Sequence, residues 1–286
     1  MDRAEIYELV NTAVAAGQNP YAVLRKLPVD AVGDVLMYIP PEYEAARRAL
    51  PPMAPDAIQD SWTGTHGYPL LLQSSAFIRV LENGFRRYAG RPLDDTKILD
   101  YGCGWGRLIR LLYRFTDPAN IFGCDPWDRS IELCRESRLA GTFAISEYIP
   151  TKTPFPGQKF DLIYAFSVFT HLSARSGKAV MDVCRQSIAD NGLMVVTIRP
   201  LSYWVSHDQK QNVVDVAAMQ RDHVEKGFAY TPHGREPIDG DITYGDTSMT
   251  LDYIKRNWDG WDVAGVEFNL QDPFQTIVFL RPVKLS

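Results

Sequence analysis

Ile98-Leu99-Asp100-Tyr101-Gly102-Cys103-Gly104-Trp105-Gly106-Arg107 is the stretch that decides the fold of this chain. An apolar pair runs into an acid. Glycines follow at 102, 104 and 106, and an apolar helical rhythm begins at once with Leu108, Ile109, Leu111, Leu112 and Phe115. Glycine has no Cβ and reaches positive φ cheaply, so a turn of this kind brings main chain close to a ligand. At the carboxyl end of a first parallel strand it marks the cofactor crevice of an open α/β sheet. A dinucleotide fingerprint would need glycine at position 107, where this chain has Arg107. The pattern is instead acid-x-G-x-G-x-G.

Working outward, a strand–helix alternation surrounds this turn. Ile121 to Asp125 reads as strand 2, followed by a helix near residues 129–139 and a weak third strand around 142–146. Phe160 to Phe166 reads as strand 4, with a helix through Val180, Val183, Cys184 and Ile188. Asn191-Gly192 then turns the chain into Leu193–Arg199, a β-branched apolar run of the kind found in buried central strands. Such alternation predicts a parallel, doubly wound sheet. Upstream, a short amphipathic helix is expected over residues 2–16 and a longer one over 70–88. Seven prolines between Pro20 and Pro55 forbid long helices there. Residues 1–60 therefore read as a mostly helical extension, and residues 61–286 as the α/β domain. Within that domain residues 200–250 are polar, and a segment of that length is expected to be a lid inserted before the last two strands.

Composition narrows the class. The chain has 286 residues, 45% hydrophobic and 23% charged, ordinary for a soluble globular protein. A formal net charge of −5 argues against nonspecific affinity for nucleic acid. No stretch approaches the ~18–20 apolar residues of a membrane span, and Met1-Asp2-Arg3-Ala4-Glu5 does not open a signal peptide. Cys103, Cys124, Cys134 and Cys184 lie far apart without a C-x-x-C pair, so they read as reduced, cytoplasmic thiols.

The turn at 98–107, the acid Asp125 placed 25 residues after Asp100, and the stretch Phe160-Asp161-Leu162-Ile163-Tyr164-Ala165-Phe166-Ser167-Val168-Phe169-Thr170-His171-Leu172 together resemble class I S-adenosylmethionine (SAM) dependent methyltransferases. The resemblance covers roughly residues 60–286 and is strongest at 97–127 and 160–199. It implies a seven-stranded Rossmann-like sheet whose last strand, Thr276–Arg281, is antiparallel. It also implies SAM as cofactor and S-adenosylhomocysteine as product. By the same resemblance, Asp100 with Tyr101, Gly102, Cys103, Gly104 and Gly106 surrounds the methionine end of the cofactor. Asp125 receives the ribose hydroxyls, and Pro126 and Trp127 border adenine. Ser146 and Glu147 stand where the family places a polar contact to the adenine amino group, commonly an Asp. Phe166 and Ser167 belong to the loop beneath the sulfonium. Read from the residues alone, Asp125 is also a good helix N-cap, although Asp128 sits better for that task. Trp127 could equally be core.

The acceptor is less defined. Asn/Asp-Pro-Pro-Tyr/Phe, the family signature for methylation of exocyclic nitrogens, is missing after strand 4. Nor does Ala165-Phe166-Ser167 offer the acid that metal-dependent O-methyltransferases keep there, so metal-independent chemistry is expected. A hydroxyl acceptor needs a base, and histidine suits neutral pH. His171, His207 and His233 are the candidates, with a structural hydrogen bond an equal reading for His171. Trp62, Tyr203 and Trp204 are candidate walls of the acceptor pocket, or ordinary core. The favoured reading is O-methylation of a small-molecule or sugar-like acceptor. N-methylation of a small molecule or peptide, a non-catalytic SAM-binding module, and a nicotinamide oxidoreductase remain as alternatives, the last disfavoured by Arg107.

Overall fold

The computed structural model describes residues 1–206, 214–269 and 271–283. The chain divides into two compact units, the first formed by residues 1–86 and 91–145, the second by 87–90 and 146–286.

The first unit begins with short helices, as its prolines require: α1 (Arg3–Ala15), α2 (Tyr21–Leu24), α3 (Val29–Met37), α4 (Glu44–Ala49) and α5 (Asp56–Thr63). A reciprocal capping box between Asp2 and Glu5 starts α1, and Ile6, Tyr7, Val10 and Ala13 form its buried face. The long helix α6 (Gly67–Ala89) begins three residues earlier than the apolar spacing suggests. Pro69 sits in its first turn, where its lost N–H has no intrahelical partner to lose. Gly90, at φ +71°, follows its end. Strands β1 (Ile98–Tyr101), β2 (Ile121–Asp125) and β3 (Thr142–Ile145) then alternate with α7 (Ile109–Leu112) and α8 (Asp128–Glu136). β1 pairs with β2 and β2 with β3, both in parallel.

Helix α7 is only four residues long, shorter than its apolar run predicts. Gly106 at φ +76° departs from helical geometry, and the Arg110 side chain binds the carbonyls of Trp105 and Gly106. The cap of α8 also differs from expectation. Trp127 occupies the N-cap and Asp128 the first helical position, where its Oδ1 accepts from the neighbouring N–H of Arg129. The carboxylate of Asp125 holds that turn instead, accepting from the N–H of Trp127 at 2.9 Å.

In the second unit, β4 (Phe160–Ala165) and β5 (Ile188–Ile198) are parallel and flank α9 (Ala174–Ser187) in sequence. The segment after β5 is not structureless. It contains α10 (Val216–Lys226) and an antiparallel pair, β6 (Phe228–Pro232) with β7 (Gly245–Met249), before α11 (Leu251–Asn257). β8 (Trp261–Phe268) and β9 (Thr276–Pro282) close the chain, with β9 antiparallel to both β5 and β8. The sheet order is β3-β2-β1-β4-β5-β9-β8. This is the seven-stranded sheet with an antiparallel last strand that the resemblance implies, built on the parallel strands that the alternation predicts.

Candidate functional site

Each unit carries a cluster of its own. In the first, β1 carries the buried Asp100 one residue before its end at Tyr101, and the chain then enters the glycine turn. Gly102, Gly104 and Gly106 all adopt positive φ, at +79°, +52° and +76°. The N–H groups of Gly102 and Cys103 donate to the carbonyl of Cys124 at 2.7 and 3.0 Å, so the turn is stitched to β2. The N–H of Gly104 donates to Asp125 Oδ2 at 3.0 Å. Asp125 thus binds the turn with one oxygen and the start of α8 with the other, and the carboxylate keeps acceptor capacity for a further donor. Burial raises the Asp125 pKa, while the N–H groups of Trp127 and Gly104 and the Ser130 hydroxyl act against that rise.

Two tryptophans stand over this turn. Trp62 of α5 stacks on Trp127 with ring centroids 4.8 Å apart and planes 15° from parallel. A Cβ at Gly104 would lie 3.5 Å from the Trp62 ring. Trp62, expected as an acceptor-pocket wall, is therefore placed on the glycine turn. Trp127 is exposed on its other side rather than core. Below the turn, Trp105 packs with Ala54, Leu70 and Leu133. The fully buried Arg110 donates to the carbonyls of Trp105 (3.0 Å), Gly106 (2.9 Å) and Pro52 (2.8 Å). Burial lowers its pKa.

In the second unit, Ser146 is buried and its hydroxyl has no hydrogen-bond partner among the described residues. Its neighbour Glu147 is exposed and accepts from Thr151. After β4, Phe166 is half-buried, and Ser167 is held at φ +58°, a conformation costly for a residue with a Cβ. Its N–H donates to Thr197 Oγ1 at 2.7 Å, and Gln275 Nε2 donates to its hydroxyl at 3.1 Å.

The second cluster centres on Asp246 of β7, a carboxylate only 6% exposed. Its Oδ1 accepts from Arg199 Nη1 at 2.5 Å and from the Tyr203 hydroxyl at 2.8 Å. Its Oδ2 lies 2.8 Å from His233 Nε2. Burial acts to raise the pKa of this carboxyl. The hydrogen bond from His233 and the charge of Arg199 outweigh it and hold the pKa down at about 2. His171 joins the cluster with both nitrogens engaged. Nδ1–H donates to the Gly245 carbonyl at 2.8 Å, and Nε2 faces Arg199 Nη2 at 3.3 Å. Burial, then the Arg199 charge, lowers its pKa to about 4, so the ring is neutral at physiological pH. Tyr244 stacks on His171 at 4.8 Å and meets His233 edge-on at 5.4 Å. Trp204 is fully buried and gives its indole N–H to Ser248 Oγ, which also contacts His223 Nδ1.

The structure therefore brings His233 and Tyr203 onto one carboxylate with His171 beside it, leaves Trp204 in the core, and places Trp62 on the glycine turn. His207 lies outside the described residues. Sequence reasoning missed Asp246, Arg199, Tyr244 and Arg110. Arg199 had a signal, as a charge ending a buried apolar strand. Asp246 had none, because β7 reads Gly-Asp-Thr-Ser-Met and shows no apolar alternation, yet every residue in it is buried.

Residues 98–192 match a family model described as a methyltransferase domain. A ubiquinone biosynthesis O-methyltransferase from Methylocella silvestris is 33% identical over 154 residues, 49% of this chain and 59% of the relative. A sterol 24-C-methyltransferase from Aspergillus fumigatus is 27% identical over 46% of this chain and 36% of its own. The chain thus spans little more than half the length of the first of these relatives. Among solved structures, the PH0226 protein of Pyrococcus horikoshii superposes with a TM-score of 0.50 at 14% identity. That superposition covers 73% of this chain and 90% of the other, a likeness of fold.

Proposed function

We propose that this chain transfers the methyl group of SAM to a hydroxyl of a small-molecule acceptor. The observation that carries the reading is the glycine turn within the matched methyltransferase segment. It has three positive-φ glycines and is latched through the Gly104 N–H to Asp125. The residues present fit the cofactor. Asp125 keeps acceptor capacity toward ribose hydroxyls, and the exposed face of Trp127 suits adenine. Asp100, Tyr101, Gly102, Cys103, Gly104 and Gly106 would hold the methionine end, with Pro126, Glu147, Phe166 and Ser167 completing the set.

A bound sulfonium supplies an electrophilic methyl group, so the protein's task is binding, alignment and proton removal. In this reading residues 200–250 form the acceptor lid of a domain spanning 61–286, and residues 1–60 are an extension. The hydroxyl preference rests on the histidine–carboxylate cluster in that lid, since an alcohol or phenol must lose its proton as the C–O bond forms. The four cysteines are free thiols, which fits a reducing, cytoplasmic setting. Among the described residues no helix is long and apolar enough to cross a membrane.

Calorimetric titration tests the cofactor. S-adenosylhomocysteine should bind and NAD should not, and Gly104→Val, which puts a branched side chain at a positive-φ position on the turn, should abolish that binding. NAD binding without S-adenosylhomocysteine binding would overturn the proposal. Unchanged affinity in the variant would show the site to be elsewhere.

A further inference from the structure

We infer that His233 is the base that takes the acceptor proton, and that Asp246 is the positioning residue that fits it for this. The inference rests on the methyl-transfer reading above and assigns its proton chemistry. It begins with the carboxylate. Oδ1 of Asp246 is fixed by Arg199 and the Tyr203 hydroxyl, so Oδ2 presents one defined direction. His233 Nε2 lies on it at 2.8 Å. An ionised carboxylate only accepts, so Nε2 carries a hydrogen, and the neutral ring fixed in this way has its lone pair on Nδ1. Nδ1 has no hydrogen-bond partner among the described residues, and the His233 side chain is 42% exposed. The backbone is fixed as well, since the His233 N–H donates to the Tyr244 carbonyl at 3.1 Å and its carbonyl accepts from Arg235 at 2.8 Å.

His171 cannot serve in its place. Its Nδ1–H is given to Gly245 and its Nε2 faces the Arg199 guanidinium, so protonation would set an imidazolium against an arginine. Its role is to support Tyr244, whose ring it stacks on and against whose face Arg235 also lies, 4.3 Å from the centroid. The charged and titratable groups around His233 are thus Asp246, His171, Tyr244, Arg235, Arg199 and Tyr203. In the reaction, the acceptor oxygen forms a bond to the methyl carbon as the S–CH3 bond breaks. The electron pair of that bond stays on sulfur as a neutral thioether, and the acceptor proton passes to His233 Nδ1 and then to water.

The test uses the full chain in two arms. The first is carbethoxylation by diethylpyrocarbonate, read at each histidine by mass spectrometry, with long-range 1H–15N spectra for the tautomer. His233 should be modified readily and appear as the Nε2–H tautomer, while His171 is protected. In Asp246→Asn the fixed tautomer should be lost and the His233 rate should fall several-fold. A His233 that is protected, or that behaves identically in Asp246→Asn, overturns the inference. The second arm follows methyl transfer from SAM to 3,4-dihydroxybenzoate. His233→Gln, at a half-exposed site that spares the fold, should lower kcat by about 100-fold with KM changed little. Asp246→Asn should lower kcat in the same way, and Asp246→Glu should restore part of it. Transfer undiminished in His233→Gln overturns the inference. A chain that binds S-adenosylhomocysteine yet methylates no hydroxyl overturns the function reading, and the first arm still decides the pairing.

Discussion

Gly106→Ala and Gly104→Ala make a matched pair on the same turn, and the structure predicts different costs for them. Both glycines lie at positive φ, so a Cβ at either carries a left-handed penalty of roughly 1 kcal/mol. At Gly104 the added methyl meets the Trp62 ring at 3.5 Å, an ordinary contact, and the penalty ends there. At Gly106 the methyl would lie 2.1 Å from Leu139 Cδ2 and 3.4 Å from its Cγ. Leu139 is buried, so its side chain must leave its rotamer inside packed surroundings, which adds about 2 kcal/mol. The expected destabilisation is about 1 kcal/mol for Gly104→Ala and about 3 kcal/mol for Gly106→Ala. Urea denaturation reads the totals. Hydrogen-exchange mass spectrometry over residues 98–127 reads the loss where it arises. Equal losses in the two variants, or a Gly106→Ala chain within about 0.5 kcal/mol of wild type, would refute the argument that Leu139 and the turn interlock.

Three other outcomes follow from the packing. Unfolded His171 takes up its proton near pH 6.5 and the folded ring only near 4. Between those values the unfolded chain binds more protons, so stability should fall as pH drops through that window, by up to about 3 kcal/mol. A denaturation series in His171→Leu should lack this slope. Gly245→Ala should unseat the second cluster, because its Cβ would stand 2.1 Å from the Thr231 carbonyl oxygen and 2.8 Å from Pro232 Cα, both backbone. A loss of about 3 kcal/mol is expected, with faster exchange in β6 and β7. Arg110→Met removes a buried charge but strands the carbonyls of Trp105, Gly106 and Pro52. A net loss of about 2 kcal/mol is expected by urea denaturation, with the exchange increase centred on residues 102–108.

The sheet was legible because its strands are buried on both faces and so appear as unbroken apolar runs. Ile98–Tyr101, Phe160–Ala165 and the apolar part of Ile188–Ile198 are of this kind. The last strand, Thr276–Pro282, announces itself in the same way. Helix α7 was over-read because apolar spacing records which residues are buried, and a turn held by Gly106 and Arg110 buries the same residues without continuing the helix. The cap of α8 was misassigned for a related reason. Asp125 and Asp128 are both suitable acids, and only the turn geometry decides which one reaches the Trp127 N–H.

The asymmetry between the two clusters has a physical origin. A turn that must approach a ligand through its backbone needs glycine at fixed positions, and glycine spacing is visible in any sequence. A buried polar cluster has no such constraint. Asp246, Arg199, His171 and His233 are drawn together from β7, the end of β5 and two loops, and what makes them a unit is mutual hydrogen bonding across up to 47 residues of chain. Asp246 alone looks like a solvated surface residue, and no spacing in the sequence links it to the others. The same reasoning bears on the first 60 residues, which look like an appendage in the sequence because prolines fragment them. Yet Pro52 accepts from Arg110, Ala54 packs on Trp105, and Trp62 lies over Gly104. The shape of the glycine turn therefore depends on contacts made by residues 52–62. A turn excised with residues 61–286 alone would lose its Pro52 and Ala54 contacts, including one of the acceptors that hold Arg110 in place.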